Sequence, residues 1–337
     1  FFMTIKDLSA QTGYSVGTVS RVLNNQPNVS DKARAAILKA ADESGFQLNE
    51  NAKQLKQQHG TAIFVIAKGH SNELFGSLVE ALQSRFAQTS YPLVVDYIDE
   101  NDNEVRRALQ LCREKKPRGI LFLGGNRQNF LDDFGKISTP CVLVTNDAST
   151  LPFPNLSSVS SDDALAAKMA IDHLVSLGHR QIVVVGGDRS QSDTTALRYD
   201  GCLEAFHRHG ITFDESRDYV SARFSYEGGY RAAKALLKRG RNFTALFAMS
   251  DVMAIGAIRA LRDAGKRVPE DVSVMGFDGL TIGEFTIPKL ATICQAVDDL
   301  AEHSLQLLLR NIETAGKAQH EIIPVCLEWK ESARRIN

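Results

Sequence analysis

Apolar positions along this chain keep two different rhythms, and the change falls near Gly60. Before it, Leu8, Val19, Val22 and Leu23 recur at helical spacing in short runs, and Ala33, Ala36, Ile37 and Ala40 line one side of a third run. Spacings of three and four mark one face of a helix, so three short helices around a small core are predicted. After Gly60 the runs become continuous: Ala62-Ile63-Phe64-Val65-Ile66-Ala67 has the character of a parallel strand buried on both faces. A helix carrying Phe75, Leu78, Val79, Leu82 and Phe86 follows, then strands at 93–95, 119–123 and 141–144 with a helix at 105–112. The same rhythm restarts after Ser161-Asp162-Asp163, with strands at 182–185, 245–248 and 272–274 and helices up to 177 and at 196–209, 226–237 and 252–264. Strand and helix in alternation predict α/β architecture with two doubly wound parallel-sheet lobes. A strand pattern at 291–297, a helix at 300–312 and a late strand at 322–325 imply that the chain crosses back to the first lobe and returns, making three crossings.

The first segment also carries cap chemistry. Thr4-Ile5-Lys6-Asp7 has the form of an N-cap with an acid three residues on, and Gly13 closes the helix it opens. Ser15 caps the next run, Val16-Gly17-Thr18-Val19-Ser20-Arg21-Val22-Leu23; Ser30 caps the third, which ends at Gly45. The second helix presents small hydroxyls and one arginine, a composition suited to a major groove, where it would meet phosphates and base edges. A three-helix interaction module is the alternative. The boundaries expected are an all-α helix-turn-helix headpiece over 3–48, a hinge and linker over 49–60, and the lobes over 61–337. The first lobe takes about 61–160 plus 292–322, and the second about 163–290 plus 325–337.

Composition changes this picture little. The chain has 337 residues, 43% of them apolar, enough for a headpiece and two cores. Net charge is −1, which gives no bulk argument for nucleic acid, although residues 1–60 hold seven Lys and Arg against five Asp and Glu. No apolar run approaches a membrane span or a signal-peptide core, so a cytoplasmic protein without membrane contact is expected. Cys112, Cys141, Cys202, Cys294 and Cys326 are scattered without a C-x-x-C pair, which reads as reduced thiols and not as a disulfide framework or zinc site. Gly124-Gly125 and Gly186-Gly187 do not extend to a phosphate-binding loop, His207 and His209 cannot share a helix face, and H-E-x-x-H and G-x-S-x-G are lacking. No enzyme, metal site or cofactor is expected.

Thr4-Ile5-Lys6-Asp7-Leu8, Gly13-Tyr14-Ser15, Thr18-Val19-Ser20-Arg21-Val22-Leu23-Asn24 and Val29-Ser30 together resemble the headpiece of the lactose-repressor and galactose-repressor family of bacterial transcription regulators. Asn49-Glu50-Asn51-Ala52-Lys53-Gln54-Leu55 is similar to that family's hinge helix. The resemblance implies DNA contacts from Thr4, Ser15, Val16, Gly17, Thr18, Ser20, Arg21, Asn24 and Ser30, with Arg21 on guanine, Ser15, Ser20, Asn24 and Ser30 on phosphates and Val16 on a thymine methyl. It further implies that Leu55 wedges into the minor groove with Ala52 and Lys53 as neighbours. An inverted-repeat operator needs two headpieces, so a homodimer is expected; no leucine heptads follow the last strand to build a tetramer.

The body resembles the same family's periplasmic-binding-protein-like effector domain through His173-Leu174-Val175-Ser176-Leu177-Gly178-His179, Arg198-Tyr199-Asp200-Gly201, Phe247-Ala248-Met249-Ser250-Asp251 and the run from Arg267-Val268-Pro269 to Phe277-Asp278-Gly279. Ligands of such folds sit at strand carboxyl ends, which selects Asn146 and Asp147, Ser250 and Asp251, Asp278, and Arg198 on the helix that follows Gly186-Gly187-Asp188. A carboxylate with a guanidinium fits adjacent sugar hydroxyls or a nucleobase edge. By resemblance Arg198 and Asp278 take effector positions, Phe224 is the stacking aromatic, and Leu74 and Phe75 lie in the first cleft loop. Bland readings remain beside these: Arg198 paired with Asp200, Asp278 capping a turn, Phe224 in the core, Asp251 as an N-cap. Glu73 and Gly279 depart from the family's frequent proline and aspartate. The implied function is a repressor whose operator affinity is set by a small polar effector, with a sugar favoured. The alternatives are a purine- or nucleoside-responsive regulator of the same fold, or a carbohydrate-binding receptor module.

Overall fold

The computed structural model describes residues 5–23, 29–43, 60–69, 72–240, 242–314 and 316–336, and the chain divides into two units between residues 58 and 59. The first unit holds three helices, α1 (Ile5–Thr12), α2 (Val16–Leu23) and α3 (Asp31–Glu43). Gly13 ends α1 with a left-handed φ of 73° and donates to Ser9 O at 3.0 Å. Ser15 Oγ accepts the Thr18 N–H at 3.2 Å, and Ser30 Oγ accepts that of Ala33 at 3.4 Å, so each cap serves a donor that the first turn would leave unpaired. Leu8, Val19, Val22, Ile37 and Ala41 form the core. On α3 the buried stripe runs Ala33, Ile37, Ala40, Ala41, which turns Ala36 outward, against expectation.

The second unit is built on two six-stranded sheets. Its strands are β1 (Ile63–Lys68), β2 (Leu93–Ile98), β3 (Gly119–Leu123), β4 (Cys141–Val144), β5 (Leu156–Ser160), β6 (Ile182–Gly186), β7 (Tyr219–Ser221), β8 (Ala245–Ala248), β9 (Ser273–Asp278), β10 (Ala291–Gln295), β11 (His320–Ile322) and β12 (Val325–Glu328). The first sheet runs β11-β5-β4-β3-β1-β2 and the second β12-β10-β9-β8-β6-β7. Every pairing is parallel except β10 with β12. Helices cover both faces of each sheet, which is why the central strands are apolar throughout. On the first sheet these are α4 (Glu73–Phe86) and α12 (Val297–Thr314) on one face, with α5 (Glu104–Glu114) and α6 (Arg127–Asp133) on the other. On the second, α7 (Asp163–Ser176) and α8 (Asp193–Arg208) oppose α10 (Tyr226–Lys238) and α11 (Asp251–Asp263), and the single turn α9 (Glu215–Asp218) leads into β7.

Two strands departed from expectation. The strand at Ala291–Gln295, assigned above to the first lobe with 292–322, lies in the second sheet, with Ala291 beside Met275 and Cys294 beside Asp278. The chain therefore recrosses at about residue 296, after β10, and crosses again at 323–324 between β11 and β12. β5 has a serine-rich sequence that gives no apolar signal, yet it is fully buried. Two of its hydroxyls are satisfied internally: Asn311 Nδ2 and the Gln319 N–H donate to Ser157 Oγ at 2.9 and 3.1 Å, and the Ala148 N–H donates to Ser158 Oγ at 3.0 Å, while the buried Ser160 Oγ has no partner among the described residues.

Candidate effector cleft and DNA-facing helix

The carboxyl ends of both sheets open on one cavity of about 950 Å³ between the lobes. Loops after parallel strands converge there because every strand of a parallel sheet points the same way. From the first lobe come Leu74 and Phe75 at the start of α4, which Asn72 caps by accepting the Leu74 N–H at 3.1 Å. From the second come Arg198, Phe224 and Asp278. Glycines make room for both rings: a Cβ on Gly124, whose φ is 77°, would stand 2.9 Å from Phe75, and one on Gly187 would stand 2.6 Å from Phe224. The glycine pairs, which do not extend to a phosphate-binding loop, are thus where the aromatics enter the cleft.

Arg198 is not a surface partner of Asp200. It is buried on α8, donates from Nε to Asp163 Oδ1 at 2.7 Å and from Nη1 to Met249 O at 2.6 Å, and lies 3.7 Å over the Phe277 ring. Nη2 has no partner among the described residues. Asp278 is the last residue of β9, with φ at 125°, a conformation that side-chain-bearing residues adopt rarely and that tends to persist at functional sites. Its Oδ1 accepts from Gln295 Nε2 at 2.9 Å. Burial raises the Asp278 carboxyl well above the usual carboxylate range, with Arg198 opposing the shift.

Asp251, Ser250 and Asp147 do not line the cavity. Asp251 is buried behind Asp278, where its carboxylate accepts from the Leu280 N–H at 2.7 Å and the Thr292 hydroxyl at 2.6 Å; burial and then the Asp278 charge push its pKa up. Its part is to fix the turn after β9. Ser250 caps α11 by accepting the Met253 N–H at 3.3 Å. Asn146 faces the cavity, donating to Gly125 O at 3.3 Å, whereas Asp147 points away and accepts from Ser149 and Ser158. Successive residues beyond a strand end face opposite ways, which a strand-end rule cannot resolve.

Several cleft residues were not singled out from sequence. Arg223, after β7, donates across the cleft mouth to Asp99 at 3.1 Å and to Glu100, both after β2, and Tyr226 donates to Glu73. Asn126 Nδ2 donates to Gln191 O at 3.0 Å, and the Arg127 N–H to Asp193 Oδ2 at 2.6 Å. The same strand-end reasoning, applied to β2 and β7, would have found the first group. These bonds join one lobe to the other, so they exist only while the cleft is closed. Arg223→Ala is expected to weaken effector affinity several-fold while leaving the melting temperature of the ligand-free protein nearly unchanged, since exposed ion pairs contribute little to folding. Calorimetric titration beside a thermal melt checks this, and equal affinity would contradict it.

The cleft's charge is one-sided. Among the described residues Lys68, Arg198 and Arg223 are its cations, and each is paired: Lys68 with buried Glu104 at 2.7 Å, the others as above. Asp99, Glu100, Asp188, Glu227 and Asp278 supply five carboxyls. Among the described residues no cation of the cleft is left to neutralise an anionic ligand.

In the first unit Val16 is 45% exposed, and Ser15, Gly17, Arg21 and Ser30 are exposed on or beside α2. Thr18 is half-buried, its hydroxyl 2.9 Å from that of Ser15. Ser20 lies on α2, but its side chain is outside the described ones, as are Thr4, Asn24, Ala52, Lys53 and Leu55 altogether.

A three-helix unit with an outward polar helix, followed in the chain by a two-lobed domain with a polar ligand cleft, defines a ligand-controlled DNA-binding regulator. Residues 4–49 match the family described as bacterial regulatory proteins, lacI family, and residues 171–333 the periplasmic binding protein-like domain. The chain is 31% identical over 337 residues to the HTH-type transcriptional regulator MalR of Clostridium butyricum, covering 99% of this chain and 100% of the relative. The lac repressor dimer bound to operator and the anti-inducer ONPF superposes with a TM-score of 0.74 at 26% identity, over 98% of this chain and 99% of that one. A complex of the transcriptional regulator CelR with cellobiose gives a TM-score of 0.69 at 25% identity, over 98% and 100%. The chain belongs to the lacI family of bacterial regulatory proteins: it is a DNA-binding transcriptional regulator with an effector-binding domain, not an enzyme. No described helix is long and apolar enough to cross a membrane.

Proposed function

We propose that this regulator acts in the cytoplasm as a homodimeric repressor on an inverted-repeat operator, and that a neutral, hydroxyl-rich carbohydrate in the cleft sets its operator affinity. The observation that carries the effector class is the pairing of every cleft cation among the described residues, next to aromatic rings at Phe75 and Phe224. A phosphorylated sugar would bring charge into a site that already holds surplus carboxyls. A neutral sugar needs donors and acceptors plus an apolar face. Arg198 Nη2, Asp278 and Asn146 supply the first, and Phe224 the second, with Leu74 and Phe75 closing the far wall. The cellobiose complex of CelR and a cavity of about 950 Å³ support a ligand as large as a disaccharide. A thermal-shift screen of neutral mono- and disaccharides, their phosphates and nucleosides tests the reading, because a specific ligand raises the melting temperature by mass action. A neutral sugar should give the largest shift. A response confined to nucleosides or to phosphates would overturn it.

On the DNA side, Arg21 reads guanine in each half-site, Ser15, Ser20, Asn24 and Ser30 position the headpiece on phosphates, and Thr4 adds a further DNA contact. Gly17 keeps the helix close, Thr18 flanks Ser15, and Val16 meets a thymine methyl. Arg21→Ala should cost about 1–3 kcal/mol on the cognate operator and relax preference at one base pair. Unchanged base preference on a randomised operator library would contradict this assignment.

A further inference from the structure

The five cysteines lie far apart in sequence, but β10 and β12 bring two of them together. Cys294 and Cys326 are direct partners across the antiparallel pair, and Glu328, two residues on, shares the Cys326 face of β12. One ligand atom from each, two Sγ and a carboxylate oxygen, lie within 4.8 Å of one another. We propose that Cys294, Cys326 and Glu328 form a binding site for a thiophilic divalent cation of the zinc class.

Geometry and chemistry both favour that ligand. Tetrahedral zinc with sulfur and oxygen at its usual bond lengths separates its ligand atoms by about 3.3–3.8 Å, within reach of small side-chain rotations here. Two thiolates with a carboxylate select a borderline-soft cation over magnesium or calcium. Lys330 pairs with both Glu328 and Glu284, so it keeps Glu284 as a partner when the Glu328 carboxylate turns to a metal. The thiolate, not the thiol, is the metal ligand, so one divalent cation replaces the two thiol protons, forms two metal–sulfur bonds and one metal–carboxylate bond, and releases both protons to solvent. A fourth position stays open for water. A cross-strand disulfide would also suit facing antiparallel partners, but it leaves Glu328 without a role.

The site sits at the hinge. β10 leads directly into the crossing at about residue 296, and β12 begins directly after the crossing at 323–324. Gln295, next to Cys294, holds the Asp278 carboxylate on one side and accepts from the Ser161 hydroxyl at 3.3 Å on the other. A bound cation would tie two of the three crossing segments together beside the effector site.

Chelator-treated, fully reduced protein should take up one equivalent of zinc in competition with a chromophoric chelator. Cobalt(II) in its place should give thiolate-to-cobalt charge-transfer absorption. Cys326→Ser, at an exposed position, should fold normally and lose both signals, while Cys112→Ser should keep them. Glu328→Gln should retain the thiolate bands but weaken affinity by at least the roughly 10–100-fold that loss of a partner behind a ligand costs, since here a direct ligand is lost. Undiminished uptake by the Cys294→Ser/Cys326→Ser double variant, or cobalt bound without thiolate bands, would overturn the proposal. So would reduced protein that takes up no metal yet loses both thiols pairwise to hydrogen peroxide, which would identify a disulfide pair instead.

Discussion

Asp278→Asn is expected to abolish the effector response while leaving the melting temperature at neutral pH unchanged or raised. The asparagine keeps the shape and still accepts from Gln295, but it removes one of two buried carboxyls that disfavour each other, Asp278 and Asp251. The sign follows from linkage. Both folded-state values lie above the ordinary carboxylate range, so the native state holds more protons than the unfolded one, and stability falls as pH rises from about 4 through the folded values. The variant should show a shallower fall. A ligand that needs the Asp278 acceptor nevertheless loses it, so stability and function part company, as expected where a site is strained for binding. Arg198→Ala offers the contrast. It strands Asp163, which is 3% exposed and has Arg198 as its ion-pair partner, and removing one member of a buried pair costs about 3–5 kcal/mol. That variant should lose effector binding and melt much lower. Thermal melts at several pH values, beside effector titrations, separate the two; retained effector affinity in Asp278→Asn would remove Asp278 from the site.

Leu55→Ala is expected to weaken operator binding by about 1.5–3 kcal/mol per half-site, the value of one buried leucine side chain, while effector affinity without DNA stays intact. The resemblance of 49–55 to a hinge helix motivates it, and these residues lie outside the described ones. The first lobe follows that segment directly in sequence, so an effector that favours one lobe orientation would alter the spacing of two such segments in a dimer. An effector with equal affinity for both orientations would change nothing. Operator titrations with and without effector decide the matter. If Leu55→Ala kept full operator affinity and full effector response, the hinge would not carry the coupling.

Much of the cleft was legible because its architecture is generic and its ligand positions follow strands. Leu74, Phe75, Asn146, Arg198, Phe224 and Asp278 all face the cavity. Ser250, Asp251 and Asp147 satisfied the same rule and do not. A serine before a helix is taken up by the first-turn N–H groups, a carboxylate behind a turn by that turn's donors, and the second of two consecutive loop residues points away from the first. The interlobe bonds of Arg223 and Tyr226 were hidden for another reason. Strand-end reasoning marks Arg223, Asp99 and Glu100 as cleft-facing candidates, but which loop of one lobe opposes which loop of the other has no local pattern.

The sequence by itself determined the second and third headpiece helices through their caps at Ser15 and Ser30, the alternating strands and helices, and the motifs that mark the family. All of these rest on spacing within about twenty residues, where hydrophobic period and cap chemistry act. The tertiary structure alone decided that β10 joins the second sheet, that a serine-rich segment serves as β5, that Arg198 answers Asp163, and that Cys294 and Cys326 stand opposite each other. Each of these is a pairing between residues 12 or more apart in the chain. Such pairings are selected by burial, register and charge satisfaction in the assembled core, and none leaves a period for the sequence to display.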